Sequence, residues 1–148
     1  MLRLTRITDY AVVILSLIAG EPDQLWQARA IADATRLPFP TVAKILKALT
    51  RAGLLVSRRG AEGGYALARP ASEITLVHVI EAMEGPVSLT ECSDPAAGVC
   101  GERGHCRMHG RWTRVNLAIR RALSSVSLEQ VCAPIGAFNP PRVADAAV

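Results

Sequence analysis

The sequence places three cysteines and a histidine in one short segment, which reads CSDPAAGVCGERGHCRMH. Gaps of seven, five and two residues separate Cys92, Cys100, Cys106 and His109. Glycine, proline, serine and aspartate lie in and around these gaps, so the segment is predicted to be an irregular loop rather than a helix or a strand. Three thiolates and one imidazole on such a loop are the ligands that an iron–sulfur cluster or a zinc ion takes.

Two other interpretations of these cysteines are disulfide bonds and burial as small apolar side chains. Three closely spaced cysteines cannot all pair with one another, and a glycine-rich polar loop is a poor place to bury thiols. Cys132 has no other cysteine near it in the sequence. The spacing therefore favours a metal ion or a cluster over both alternatives.

The chain has 148 residues, of which 50% are hydrophobic and only 4% aromatic. This length predicts one domain, or one small domain with a dimerisation arm, built from aliphatic helices. The net charge of +4 is too small to prove a polyanionic partner, so the placement of the basic residues matters more. The apolar run over residues 11–19 is too short to span a membrane, and no signal-peptide cleavage site follows it. We therefore expect a cytoplasmic protein.

A helix-turn-helix pattern follows the first predicted helix, which we expect to be capped by Thr8 and to end before Gly20. The first helix of the pattern spans about residues 27–34, and the second begins near Pro40 and stops at Gly53. The second helix is predicted to have a buried face of Val42, Ile45, Leu46 and Leu49. Its opposite face is basic, which fits a recognition helix, although a solvated charged face is the simpler interpretation.

A β-hairpin is predicted directly after this helix, with strands at residues 54–56 and 65–67. Arg58 and Arg59 lie near its glycine-flanked tip, where arginine suits a minor groove or its flanking phosphates. The hairpin therefore has the position and charge of the wing of a winged helix-turn-helix. The residues predicted to contact DNA are Pro40, Thr41, Lys44, Lys47, Arg51, Ser57, Arg58, Arg59, Gly60 and Tyr65.

The second half of the chain predicts two further helices, one from Thr75 to about Glu84 and a longer one from Trp112 to Val126. Apolar residues of the longer helix alternate gaps of three and four, as in a coiled-coil seam. We expect no later helix to cover this seam, which predicts a homodimer. The predicted dimer contacts are Trp112, Val115, Ile119, Ala122 and Val126.

The predicted fold class is therefore mainly α with a small β-hairpin, a winged helix-turn-helix domain with a long C-terminal dimerisation helix. We expect the DNA-binding domain at residues 1–85 and the cysteine-rich loop at 86–110. The dimerisation helix is expected at 111–132 and a flexible tail at 133–148.

Together these pieces resemble the Rrf-two (Rrf2) family of bacterial winged-helix regulators. The matching stretches are LRLTRITDYAV, LPFPTVAKILKALTRAGLLVSRRGAEGGYALARP, ITLVHVIEAMEGP and TEC…C…CRMHGRW, which together reach across nearly all of residues 1–132. The sequence is most similar to the type that regulates SUF iron–sulfur assembly and to IscR-like members. The resemblance implies a homodimer whose cluster state sets its affinity for double-stranded operator DNA, with no membrane or small-molecule substrate.

The resemblance also implies the ligands. Cys92, Cys100 and Cys106 take the three cysteine positions, and the fourth ligand is His109 or Asp9. His109 is placed as in IscR-like members, whereas Asp9 stands where NsrR-like members supply a carboxylate from the first helix of the other subunit. Loop closure favours His109 because it lies close in the chain. The cluster is a 2Fe–2S or a 4Fe–4S centre, with zinc as the alternative.

Three rival functions remain beside cluster sensing. They are a zinc-structured DNA-binding regulator, a thiol redox sensor without metal, and an interaction module of the cluster assembly machinery that does not bind DNA. An enzyme is the weakest reading, because the sequence has no Ser/His/Asp arrangement and no paired catalytic carboxylates. Its GxxGG motif at residues 60–64 falls in the predicted hairpin turn rather than between a strand and a helix.

Overall fold

A computed structural model describes residues 3–94, 105–108, 110–134 and 137. In this part of the chain, six α-helices surround a core beside one two-stranded antiparallel sheet. The elements, in chain order, are α1 (Arg6–Gly20), α2 (Ala28–Thr35), α3 (Phe39–Arg51), β1 (Leu55–Arg58), β2 (Gly64–Leu67), α4 (Leu76–Glu84), α5 (Arg111–Ser124) and α6 (Leu128–Cys132). Single 3₁₀ turns lie at Ala71–Glu73 and Glu91–Ser93. No helix in these ranges is long and apolar enough to cross a membrane.

The core forms where α1, α3 and α4 pack against one another, with α2 against α3 and α6 against α1. The predicted buried face of α3 is confirmed, because its four apolar residues are fully buried. Full burial of one such aliphatic side chain contributes about 1.5–3 kcal/mol. The largest side chains enclosed in this core are Ile14, Leu15, Ile18, Ile31, Ile45, Leu46, Leu49, Leu54, Leu55, Ile74, Leu128 and Val42.

The turn between α2 and α3 and the end of α3 have the predicted chemistry. Arg36 ends α2 in a left-handed conformation with φ of 56°. Pro40 lies in the first turn of α3, where its missing N–H costs no hydrogen bond. Gly53 follows α3 with φ of 72°, a value that glycine adopts without steric cost. These residues fix the angle at which the basic helix leaves the core.

The predicted start of α1 is wrong. The N-cap is Thr5, whose side-chain oxygen accepts a hydrogen bond from the backbone N–H of Thr8 at 3.3 Å. Thr8 itself lies inside the helix, fully buried, and its hydroxyl donates to the carboxylate of Glu84 at the end of α4. A tertiary hydrogen bond therefore occupies the side chain that was expected to cap the helix. The helix also continues through Gly20 rather than ending before it.

The C-terminal helices differ from the prediction in two ways. Helix α5 ends at Ser124, so Val126 lies beyond it, and the carbonyl of Val126 accepts a hydrogen bond from the N–H of Leu76 at 2.9 Å. A further short helix, α6, follows and buries Leu128 completely. Helix α6 packs on α1 and on the 3₁₀ turn before α4. Helix α5 keeps two large apolar side chains exposed on different sides, Val115 at 43% and Leu117 at 46%.

Candidate nucleic-acid interface and cysteine segment

The solvent-facing side of α3 carries its basic residues. Lys44, Lys47 and Arg51 are exposed, as is Pro40 in the first turn, whereas Thr41 is half-buried. The segregation follows from the apolar residues at helical spacing, which turn one side of α3 into the core and leave the rest outside. The helix therefore presents a row of cations to solvent, and its exposed basic face agrees with the prediction.

The hairpin has a register that places its basic tip beyond the sheet. Arg58 pairs with Gly64 as the last rung, and the exposed residues Arg59 and Gly60 follow in the turn. A Cβ on Gly63 would lie 2.3 Å from the carbonyl oxygen of Arg58, so this position has no room for a side chain. The glycine pair is thus what allows a tight turn with two arginines at its base and tip.

A feature that the sequence analysis missed fastens the hairpin to α2. Trp26 and Tyr65 exchange two backbone hydrogen bonds of 2.9 Å, which adds one rung of a third strand to β2. The side-chain amide of Gln27 also donates to the carbonyl of Ala61 in the turn, at 3.2 Å. A single extended residue has no period, so no sequence pattern indicates it. The wing and the helix-turn-helix are consequently held as one surface.

Two open grooves border the hairpin. One, with a volume of about 520 Å³, separates it from α3 and is lined by Ala43, Lys47, Thr50, Arg51, Ser57 and Tyr65. The other, of about 550 Å³, runs between the hairpin and the start of α2 and includes Arg58 and Arg59. Cationic walls on both sides of a protruding hairpin suit the phosphate backbone of a nucleic acid.

The cysteine segment begins in the described part of the chain and continues outside it. Cys92 lies in the 3₁₀ turn at Glu91–Ser93, exposed, with its sulfur 3.2 Å from the hydroxyl oxygen of Thr90. Cys106 is also an exposed free thiol. Cys100 and His109 lie outside the described residues. Among the residues that are described, no three His, Cys, Asp or Glu side chains form a group that could hold a metal ion.

Helix α5 holds the backbone just before Cys92. The side-chain amide of Asn116 donates to the carbonyl of Val87 at 2.9 Å and accepts from the N–H of Leu89 at 3.2 Å. An ion pair of 2.8 Å between Arg120 and Glu81 joins α5 to α4, but its partly exposed position makes it a weak tie. Asn116 therefore connects α5 to the backbone that leads into the cysteine segment.

The other candidate ligand, Asp9, is exposed in the first turn of α1. Its neighbour Thr8 donates to Glu84, and this bond lowers the pKa of the Glu84 carboxyl below its ordinary 4.5, with a second contribution from the backbone N–H of Thr5. The start of α1 is thereby tied to the end of α4, from which the chain enters the cysteine segment.

The predicted dimer residues lie along α5 and just past its end. Trp112 and Ile119 are half-buried, whereas Val115 and Ala122 are exposed. Val126 belongs to the connection that pairs with the start of α4 rather than to the helix. Pairing of two chains through these residues stays a prediction.

Comparison with known proteins identifies relatives over most of the chain. A family model described as Rrf2, iron-dependent transcriptional regulator, matches residues 4–134. Protein aau3 of Rhizobium meliloti is 37% identical over 124 residues, which cover 84% of this chain and 76% of that protein. The transcriptional regulator NsrR of Oceanobacillus iheyensis is 30% identical over 131 residues, which cover 88% of this chain and 89% of that protein.

Solved structures match the fold. The global cysteine regulator CymR of B. subtilis superposes with a TM-score of 0.67 at 26% identity, covering 89% of this chain and 97% of that one. IscR of T. potens superposes with a TM-score of 0.63 at 25% identity, covering 86% of this chain and 84% of that one. The mainly helical fold with its two-stranded wing is thus the one predicted.

Proposed function

The chain belongs to the Rrf2 family of DNA-binding transcriptional regulators, and from that premise we propose that it senses an iron–sulfur cluster and acts as a homodimer. As the sequence predicted, this is a family of regulators rather than enzymes. The family description already names iron dependence. In our proposal an iron–sulfur centre confers this iron dependence and controls DNA binding, and the protein acts in the cytoplasm.

The donor set supports a cluster rather than a buried structural site. Two of the three cysteines, Cys92 and Cys106, are exposed free thiols, which a cluster can reach without disturbing the core. The hydroxyl of Thr90 lies within hydrogen-bonding distance of the Cys92 sulfur, a contact that stabilises a thiolate. Cys92, Cys100 and Cys106 would hold the cluster with His109, or with Asp9 of the other subunit. When bound, the cluster supplies a centre that iron starvation, oxidants or nitric oxide can remove.

The observation that carries the proposal is the pair of hydrogen bonds by which Asn116 of α5 holds the backbone just before Cys92. Its side-chain amide bonds to both Val87 and Leu89. An ordering of the chain around Cys92 therefore changes the position of α5. Helix α5 is the proposed dimer helix, so its position sets how two winged domains sit relative to each other. Two recognition helices must match the repeat of the DNA double helix, and a small shift therefore changes operator affinity.

The dimer itself is supported by exposed apolar surface on α5. Val115, one of the predicted dimer contacts, has 43% of its surface exposed, and Leu117, on another side of the helix, has 46% exposed. Helix α6 packs on α1 and leaves Val115 of the predicted seam exposed. A second copy of the same helix is the partner that two-fold symmetry and the seam favour.

The test is the composition of protein purified without oxygen. We expect a brown protein with an iron–sulfur absorption band and with iron and acid-labile sulfide in stoichiometric amounts. The Cys100→Ala variant should lose both while Cys132→Ala, which changes an exposed thiol outside the segment, should keep them. Colourless protein with one zinc per chain would instead support the zinc-structured regulator, and metal-free protein with oxidisable thiols would support the redox sensor.

A further inference from the structure

Phe39 is a large apolar side chain in an unexpected place. It is the first residue of α3, and 44% of its surface is exposed, whereas the large aliphatic residues in the body of that helix are fully buried. Phe39 is not part of the hydrophobic core. The fold therefore gains little from its ring, although a buried phenylalanine contributes about 1.5–3 kcal/mol. It lies next to Pro40 and Thr41, where a recognition helix begins.

The ring has one close charged neighbour. The guanidinium carbon of Arg29, in the first turn of α2, lies 5.4 Å from the centre of the Phe39 ring. This distance falls in the range of a cation–π contact, which orients the two groups together. Arg29 is exposed as well, so its N–H donors stay available to a partner.

We propose that the Phe39 ring packs against the 5-methyl group of a thymine in the major groove, with Arg29 donating to a nearby phosphate. The inference rests on the DNA binding stated above and names a residue that determines sequence specificity. Residues at the N-terminus of a recognition helix approach base edges, and thymine alone presents a methyl group there. An aromatic ring is a suitable contact for that methyl group. Arg29, stacked on the ring, fixes the orientation of the ring, and its phosphate contact fixes the position of the ring along the DNA.

The experiment removes the methyl group from the DNA. Duplexes are first selected from a random-sequence pool by the wild-type protein, and each thymine of the best duplex is then replaced singly by deoxyuridine. We expect one thymine in each half-site at which this change weakens wild-type binding by about fourfold, the value for one buried methyl group. The Phe39→Ala variant should bind both duplexes equally, whereas Phe39→Leu should keep part of the discrimination.

Arg29 is tested by the salt dependence of the same binding. The Arg29→Gln variant should weaken binding to all selected duplexes by a similar factor, and the slope of log K against log salt should fall by about one. Val13→Ala is the control for the loss of an exposed apolar side chain. Val13 has the same exposed fraction as Phe39, 44%, but lies on α1, outside the helix-turn-helix. It should change neither the deoxyuridine effect nor the slope.

The outcomes separate the inference from the function on which it rests. If the wild-type protein selects no sequence at all, sequence-specific DNA recognition by this chain is refuted, and the thymine contact with it. If it selects a sequence but no thymine methyl group discriminates wild type from Phe39→Ala, then the ring does not read thymine and only stacks on Arg29. Thermal unfolding of each variant checks that a lost effect is not a lost fold.

Discussion

The side chain of Asn116 accepts a hydrogen bond of 3.2 Å from the backbone N–H of Leu89, three residues before Cys92. Its amide nitrogen donates to the carbonyl of Val87 at 2.9 Å, so that one side chain of α5 satisfies two backbone groups of the chain that leads into the cysteine segment. Such a two-point contact fixes both the direction of the backbone before Cys92 and its distance from α5. The cysteine segment and the proposed dimer helix are therefore mechanically connected before any ligand binds.

Replacing Asn116 by leucine should weaken this connection. Leucine keeps the branched shape of asparagine but leaves the two backbone groups without partners, and one lost hydrogen bond is worth about 1 kcal/mol. We expect the ratio of operator affinities with and without the cluster to shrink by about fivefold, while the absorption spectrum of the loaded protein is unchanged. Thr113→Ala, which removes an exposed polar side chain of the same helix, should leave the ratio as it was. An unaltered ratio in Asn116→Leu would refute the proposed route.

His78 should make stability depend on pH. Its Nδ1 accepts a hydrogen bond of 3.1 Å from the N–H of Thr75, which completes the cap of α4. Burial lowers the pKa of His78 below its ordinary 6.5, and the charge of Arg69 lowers it further, as does that of Arg120, against an opposing effect of Glu81. The folded state thus prefers the neutral ring. Its contribution is complete above pH 6.5 and is lost as the pH falls through the lower folded value.

Two substitutions at His78 separate capping from titration. His78→Gln keeps an acceptor at the third helical position but does not ionise, so urea unfolding should show a smaller loss of stability between neutral pH and pH 5 than in the wild type. His78→Ala removes the acceptor and should cost about 1 kcal/mol at neutral pH. Parallel pH profiles for wild type and His78→Gln would mean that His78 is not the titrating group.

Gly64 should tolerate no side chain. A Cβ there would lie 2.8 Å from the carbonyl oxygen of Trp26, whose position is fixed by the two backbone bonds to Tyr65. Gly64→Ala should therefore displace the wing and lower the free energy of unfolding by about 2 kcal/mol. The control is Gly20→Ala at the end of α1, where a Cβ meets no atom within 4 Å and where alanine favours the helix. Thermal unfolding should rank Gly20→Ala at or above the wild type, and equal melting temperatures for the two variants would contradict this account of the wing.

The basic residues of α3 and the wing should act on DNA through phosphate contacts. Lys44→Ala combined with Arg59→Ala removes one exposed cation from each element. We expect retention on DNA to be lost at moderate salt, and at low salt the slope of log K against log salt should fall by about two. Arg114→Ala with Arg121→Ala, two exposed cations of α5, is the matched control for net charge. Equal salt slopes in both double variants would place the DNA elsewhere on the surface.

Most of the helical frame could be predicted because hydrophobic period, proline and glycine agree locally. The buried face of α3, its stop at Gly53 and the hairpin all follow from such signals. Thr8 was misassigned because both threonines are good caps by type, and the partner that decides between them, Glu84, lies 76 residues away. A local rule cannot detect a hydrogen bond at that separation.

The remaining differences concern elements too short to carry a pattern. Helix α6 has five residues, and the strand rung at Trp26 has one, so neither shows a period. The contact between Asn116 and the segment at Val87 arises only when α5 folds back along the end of α4. Residue types near Cys92 predict the chemistry of the proposed centre, whereas the contact proposed to transmit its state depends on tertiary structure.

The most direct measurement compares the affinity of one preparation for its selected duplex before and after the cluster is removed, without oxygen. The account predicts that the two dissociation constants differ by about 5- to 150-fold, the usual size of coupling between two sites. The same treatment of Cys100→Ala should change nothing. Equal affinities of the loaded and the stripped wild-type protein would contradict the central claim that the cysteine segment controls DNA binding.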